Sequence, residues 1–170
     1  MPLVRGATFL LLLLVAAVLQ VSFFSFFSYD GVVPNLVLLV VVAAGLSRGP
    51  ELGALLGFTG GLVVDLLPPA DHLAGQWALA LTVAGYLAGK VRPERGRSST
   101  VALATVAACS FVATSLFALS GMVLTDPGVP AAEALRVIPI AVLYDLLLAP
   151  FVLPLAMRVF RRMQAPQVAY

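Results

Sequence analysis

Apolar runs of 17 or more residues recur along this chain, and each must be hidden from water or placed in lipid. A bilayer core about 30 Å thick needs roughly 20 such residues per helix, so repeated runs of that length constrain the fold more than any motif. Composition points the same way: of 170 residues, 61% are hydrophobic and 11% charged, against about 45–50% and about 25% in soluble domains. The sequence therefore predicts an all-α polytopic membrane protein forming a single domain over 1–170. The expected helices lie at about 6–27, 32–47, 51–67, 72–89, 100–124 and 137–158.

Arg5 followed by "LLLLLVAAV" resembles the start of a cleaved signal peptide, but the apolar run continues to Phe27, beyond a signal core. A retained first helix is the better reading. The second and third helices are joined by "SRGP", in which Gly49 ends one helix and Pro50 opens the next. They form a tight hairpin. No segment has the length of an extramembrane domain, and "TDPGVPAAEALR" (125–136) has room for one short interfacial helix.

Basic residues in short loops favour the cytoplasmic side. With six crossings and the N-terminus inside, Arg5, Arg48, Lys90, Arg92, Arg95, Arg97, Arg158, Arg161 and Arg162 all fall inside, nine of the ten basic residues. Only Arg136 falls outside, while Asp30, Asp71, Asp126 and Glu133 gather there. The expected topology is N-in/C-in. The cluster "KVRPERGR" (Lys90, Arg92, Arg95, Arg97) reads as a cytoplasmic loop, and the chain has no basic block of the kind that binds nucleic acid. The single cysteine, Cys109, forms no internal disulfide and reads as a small buried apolar residue.

Gly53, Gly57 and Gly61 stand four apart, and Asp65 continues the series, with Phe58 beside it. Small residues at this spacing let a second helix approach closely in lipid. That helix belongs either to this chain or to a partner docked in a glycine-lined groove. Asp65 lies fourteen residues beyond Glu51, roughly 21 Å along a helix. This places it at the outer interface, either hydrated or hydrogen-bonded to neighbouring backbone where Pro68 and Pro69 break the helix, or acting as a polar anchor that orders the outer loop or meets a partner. Asp145 lies about 12 Å into the sixth helix, where a charge costs about 2.5–3.5 kcal/mol unless it faces inward, pairs or is protonated. It is expected to face the bundle, near Pro139, Pro150 and Pro154.

Two membrane aspartates raise the possibility of a protease. Although "YD" at Tyr144–Asp145 matches half of an intramembrane aspartyl protease signature, Asp65 follows "LVV" rather than Gly-x-Gly. His72 has no cysteine or acid cluster around it that would make a metal site, and no G-x-S-x-G is present. No catalytic residue, metal or cofactor is expected.

The runs "VVPNLVLLVVVAAGLSRGPELGALLGFTGGLVVDLL" and "LAGQWALALTVAGYLAGKVR" resemble the MreD family of bacterial rod shape-determining membrane proteins. The resemblance rests on Pro34 and Asn35 opening the second helix, then Gly57–Phe58, Gly61, Asp65, Gly75, Ala78–Leu79 and Tyr86, with "YDLLLAPFVLPLAMRVFRR" as the last helix and basic tail. Many members carry Asp where this chain has Asn35, so an acid is not obligatory there. The resemblance implies a non-enzymatic part of the cell-elongation machinery in the bacterial plasma membrane. Its implied associates are MreC, the actin-like MreB filament, the polymerase RodA and its class B transpeptidase partner, together with membrane lipids.

The family is also similar in fold to the substrate-capturing subunits of energy-coupling-factor vitamin transporters, which makes such a subunit the alternative function. Against it, Ala16 and Ala17 are adjacent rather than four apart on the first helix, and the outer side offers little polar material for a vitamin.

Overall fold

A computed structural model describes residues 2–29, 31–68, 73–91, 99–124 and 131–163. Six α-helices follow in order: α1 (Pro2–Ser22), α2 (Leu36–Arg48), α3 (Pro50–Leu66), α4 (Gln76–Lys90), α5 (Ser99–Leu124) and α6 (Ala131–Arg162). A 3-10 turn at Phe24–Phe27 follows α1. No strand occurs among the described residues.

The helix bounds follow local chemistry. Pro34 disfavours helix in the residue before it, so α2 begins at Leu36 rather than at 32. The Asn35 side chain caps it by accepting the Leu38 N–H at 2.9 Å. A single residue, Gly49, separates α2 from α3, and its φ of +100° is one that few other residues tolerate. Gly75, at φ +104°, likewise sets the start of α4 at Gln76 rather than at 72. In 125–136, where there was room for one short helix at most, α6 is already continuous from Ala131.

Helix α2 is the axis of the bundle, with every residue from Leu36 to Leu46 buried. A helix apolar on all sides belongs inside, and α1, α3, α4, α5 and α6 surround it. Phe9 of α1 and Phe160 of α6 close this ring, with centroids 5.2 Å apart. The tightest pair is α3 with α4.

Three helices are long and apolar enough to cross a membrane: Val4–Ser22, Ser99–Leu124 and Leu135–Arg162. At most 33% of each apolar window is buried within the protein. Their outward faces, such as Leu11, Val15 and Val18 on α1 or Leu147, Phe151 and Leu155 on α6, are exposed aliphatic and aromatic surface. That surface suits lipid and not water.

Candidate functional site

The glycine series meets α4. A methyl group placed on Gly53 would run into the Gly85 carbonyl, on Gly57 into the Leu81 carbonyl, and on Gly61 into the Ala78 backbone. The contact is reciprocal, since a methyl on Gly85 would strike the Gly53 carbonyl. Backbone therefore lies on backbone along the α3–α4 seam. Of the two occupants that the spacing of Gly53, Gly57 and Gly61 left open, a helix of this chain or a partner, α4 of the same chain lies against these positions. Phe58 points away from the seam and is exposed.

The seam extends beyond the residues expected. Gly45 would place a methyl 2.7 Å from the Gly85 carbonyl oxygen, and Gly89 abuts Pro50. Gly85 and Gly89 carry the same four-residue spacing as the α3 series, a signal already present in the sequence. Gly60 turns a second small face of α3 toward Val37 of α2 and Leu13 of α1.

Asp65 closes the seam at its far end and is only 3% exposed, so of the readings left open it is bonded to backbone rather than hydrated. Its carboxylate accepts the Gly75 N–H at 2.8 Å, the Trp77 N–H at 3.1 Å and the Ala78 N–H at 3.1 Å. The first amides of a helix have no partner within it, and here an acid from α3 supplies one for α4. A negative charge at that end also complements the helix dipole.

Asp145 faces the interior and joins three helices. Its Oδ1 accepts the Asn35 N–H at 2.7 Å, and its Oδ2 accepts from the Ser110 hydroxyl at 2.6 Å. Asn35 thus has two tasks, capping α2 with its side chain and tying that cap to α6 through its own N–H. Beside Asp145, Tyr144 donates to the Phe27 carbonyl at 3.0 Å. Nothing in the sequence singled out Ser110, which lies on a helix carrying several other serines and threonines.

Above α2 lies a cavity of about 450 Å³ at the end of the bundle where α1 ends and α2 begins. Gln20, Ser25, Asn35 and Thr114 give it polar atoms, and Trp77, stacked on Phe117 at 4.5 Å, gives it an aromatic wall. Gln20 accepts the Val37 N–H at 3.3 Å. This is more polar material than the sequence suggested for that end of the bundle.

Among the described residues, Arg5, Arg48, Lys90, Arg158, Arg161 and Arg162 lie toward the opposite end, and Arg136 lies at the cavity end. Lys90 is exposed, with Nζ 5.0 Å from the Tyr86 ring centroid. Arg92, Arg95 and Arg97 lie outside the described residues, as do Asp30, Asp71, His72 and Asp126. Cys109 is buried, with Sγ 3.4 Å from the Ala84 carbonyl oxygen. Among the described residues, no group of three or more His, Cys, Asp or Glu could hold a metal ion.

The family described as rod shape-determining protein MreD matches residues 3–159. No curated protein and no solved structure matches the chain.

Proposed function

The chain belongs to the MreD family of rod shape-determining membrane proteins, and from that premise we propose that it is a non-enzymatic scaffold of the bacterial cell-elongation machinery. It sits in the plasma membrane with six crossings and both termini in the cytoplasm. MreC is its direct partner, with the RodA–transpeptidase synthase and the MreB filament in the same assembly. The observation that carries this reading is the extent of the family match, which runs from α1 into α6 rather than resting on one motif.

The geometry supports a structural role for both membrane acids. Asp65 anchors α4, and Asp145 joins α2, α5 and α6. With the glycine seam filled from within, a single-span partner meets the lipid-facing surface and the outer loops. Anionic lipids face the basic end.

Co-purification from detergent-solubilised native membranes, with mass spectrometry of the proteins and small molecules retained, tests this. Recovery of MreC or the synthase pair is the expected result. An energising ATPase module in their place, or a stoichiometric vitamin, would overturn it.

The cavity above α2 favours a second reading, that of a substrate-capturing transporter subunit. Its volume and its Gln20, Asn35, Thr114 and Trp77 lining suit a small ligand with polar groups and a flat ring.

A further inference from the structure

At the end of the bundle opposite that cavity, a groove of about 290 Å³ opens sideways between the start of α5 and the later part of α6. Leu46, near the end of α2, also lines it. On α6 it follows Pro150, Pro154, Met157 and Arg161. These positions, spaced by four, three and four, share one helix face and span roughly 16 Å. The α5 wall includes Ala102 and Leu103. The lining is apolar except at the end where α6 finishes and α5 begins, which carries Arg161 and Ser99.

That end is strongly basic. Arg48 donates to the Phe160 carbonyl at 3.2 Å and so is engaged with the α6 backbone. Arg161, Arg158 and Arg162 are exposed, and none forms an ion pair with a described residue. A long apolar trough leading to an exposed guanidinium has the chemistry of a lipid with a negative head. Basic pockets between membrane helices on the cytoplasmic side hold such headgroups.

The geometry points to a bound anionic phospholipid, with one acyl chain in the groove against Ala102, Leu103 and Met157 and its phosphate on Arg161. A zwitterionic lipid has the same chains but carries its own cation beside the phosphate, so it gains less from Arg161. The site requires that the bundle lie in a membrane with this end at the cytoplasmic leaflet. It does not depend on which protein the bundle binds.

Native mass spectrometry of the detergent-purified protein, exchanged against phosphatidylglycerol and separately against phosphatidylcholine, tests the assignment. Wild type is expected to retain phosphatidylglycerol in preference by roughly five-fold, the weight of one basic side chain at a lipid surface. Arg161→Gln should abolish the preference while leaving chain binding. Ala102→Phe, which fills the groove, should reduce retention of both lipids, and Arg158→Gln, outside the lining, should change neither.

Folding of each variant is read from protection of the buried Cys109 thiol, and Ala102→Leu replaces Ala102→Phe if the larger ring unfolds the bundle. Equal retention of the two lipids by wild type, or equal losses in Arg158→Gln and Arg161→Gln, would overturn the site. So would a co-purified protein segment covering the groove and excluding lipid.

Discussion

The Asn35 N–H donates to Asp145 Oδ1 at 2.7 Å across 110 positions of sequence. This places the start of the central helix against the middle of the last one. Ser110 donates to the second carboxylate oxygen at 2.6 Å, bringing α5 into the same junction. Each carboxylate oxygen accepts one of these bonds, so Asp145 ties α2, α5 and α6 together at one point.

Asp145→Asn should therefore be tolerated better than Asp145→Leu. The amide keeps an oxygen for the Asn35 N–H, and its NH₂ can donate to the Ser110 hydroxyl, which accepts as readily as it donates. Leucine leaves the buried Asn35 N–H unpaired, at about 1–3 kcal/mol. Thermal midpoints in detergent check this, and equal midpoints for the two variants would remove the joint's structural role.

The glycine seam predicts a change of sign between positions. Alanine is favoured over glycine inside a helix by about 1 kcal/mol, and Gly6 has nothing within 4 Å of an added methyl. Gly6→Ala should be neutral or slightly stabilising. Gly53→Ala, Gly57→Ala and Gly61→Ala force α4 backbone away, at about 1–3 kcal/mol or more each, and Gly57→Leu or Gly61→Leu should abolish the folded yield. Size-exclusion profiles of the six variants separate the classes; matching profiles for Gly6→Ala and Gly57→Ala would mean the seam is not close-packed in solution.

Asp65→Asn should loosen the start of α4 while leaving the bundle assembled. Its side chain has one acceptor oxygen where the carboxylate has two, so at least one of the Gly75, Trp77 and Ala78 amides faces an NH₂ group. A loss of about 1–3 kcal/mol is expected, smaller than that of Gly57→Leu. Hydrogen exchange localises it: faster exchange at Trp77 and Ala78, with α2 unchanged, is the predicted pattern, whereas uniform acceleration would assign Asp65 to the global core.

Cys109 is the chain's single cysteine and is 2% exposed. Its thiol should resist a maleimide until the bundle opens, so labelling against temperature should follow the global transition. Destabilised variants such as Asp145→Leu should label at lower temperature. Rapid labelling of native wild type would show that α5 separates from α4 far more readily than their packing implies.

Helix existence was legible because long apolar runs leave few alternatives, and Pro34–Asn35 and Gly49–Pro50 carry their boundaries in residue type. The spacing of Gly53, Gly57 and Gly61 announced a close approach but not by what. A small-residue stripe has no chemical label for its occupant, and only the matching Gly85–Gly89 pair on α4 hinted at it. Asp65 looked interfacial because distance along α3 measures depth in a bilayer and not burial by another helix. Whether the α3–α4 connection brings Gly75 back onto that carboxylate is a tertiary fact. Ser110 was illegible for a simpler reason, since α5 distributes small and polar residues around its whole circumference.

The six-crossing arrangement makes a prediction that the helix lengths sharpen. At 1.5 Å per residue, α2, α3 and α4, with 13, 17 and 15 residues, run only about 20–26 Å. That is short of a bilayer core of about 30 Å. Helix α2 is shielded from lipid by its neighbours, so its length need not match the membrane, and α3 and α4 lie against each other along the glycine seam. If all three cross, fluorescent-protein fusions at the C-terminus and within 92–98 should both report the cytoplasm, while an alkaline phosphatase fusion within 125–130 should report the outer side. If instead α2–α4 form a plug that does not cross, only α1, α5 and α6 span, and with the N-terminus inside all three signals reverse, with 92–98 and the C-terminus outside and 125–130 in the cytoplasm.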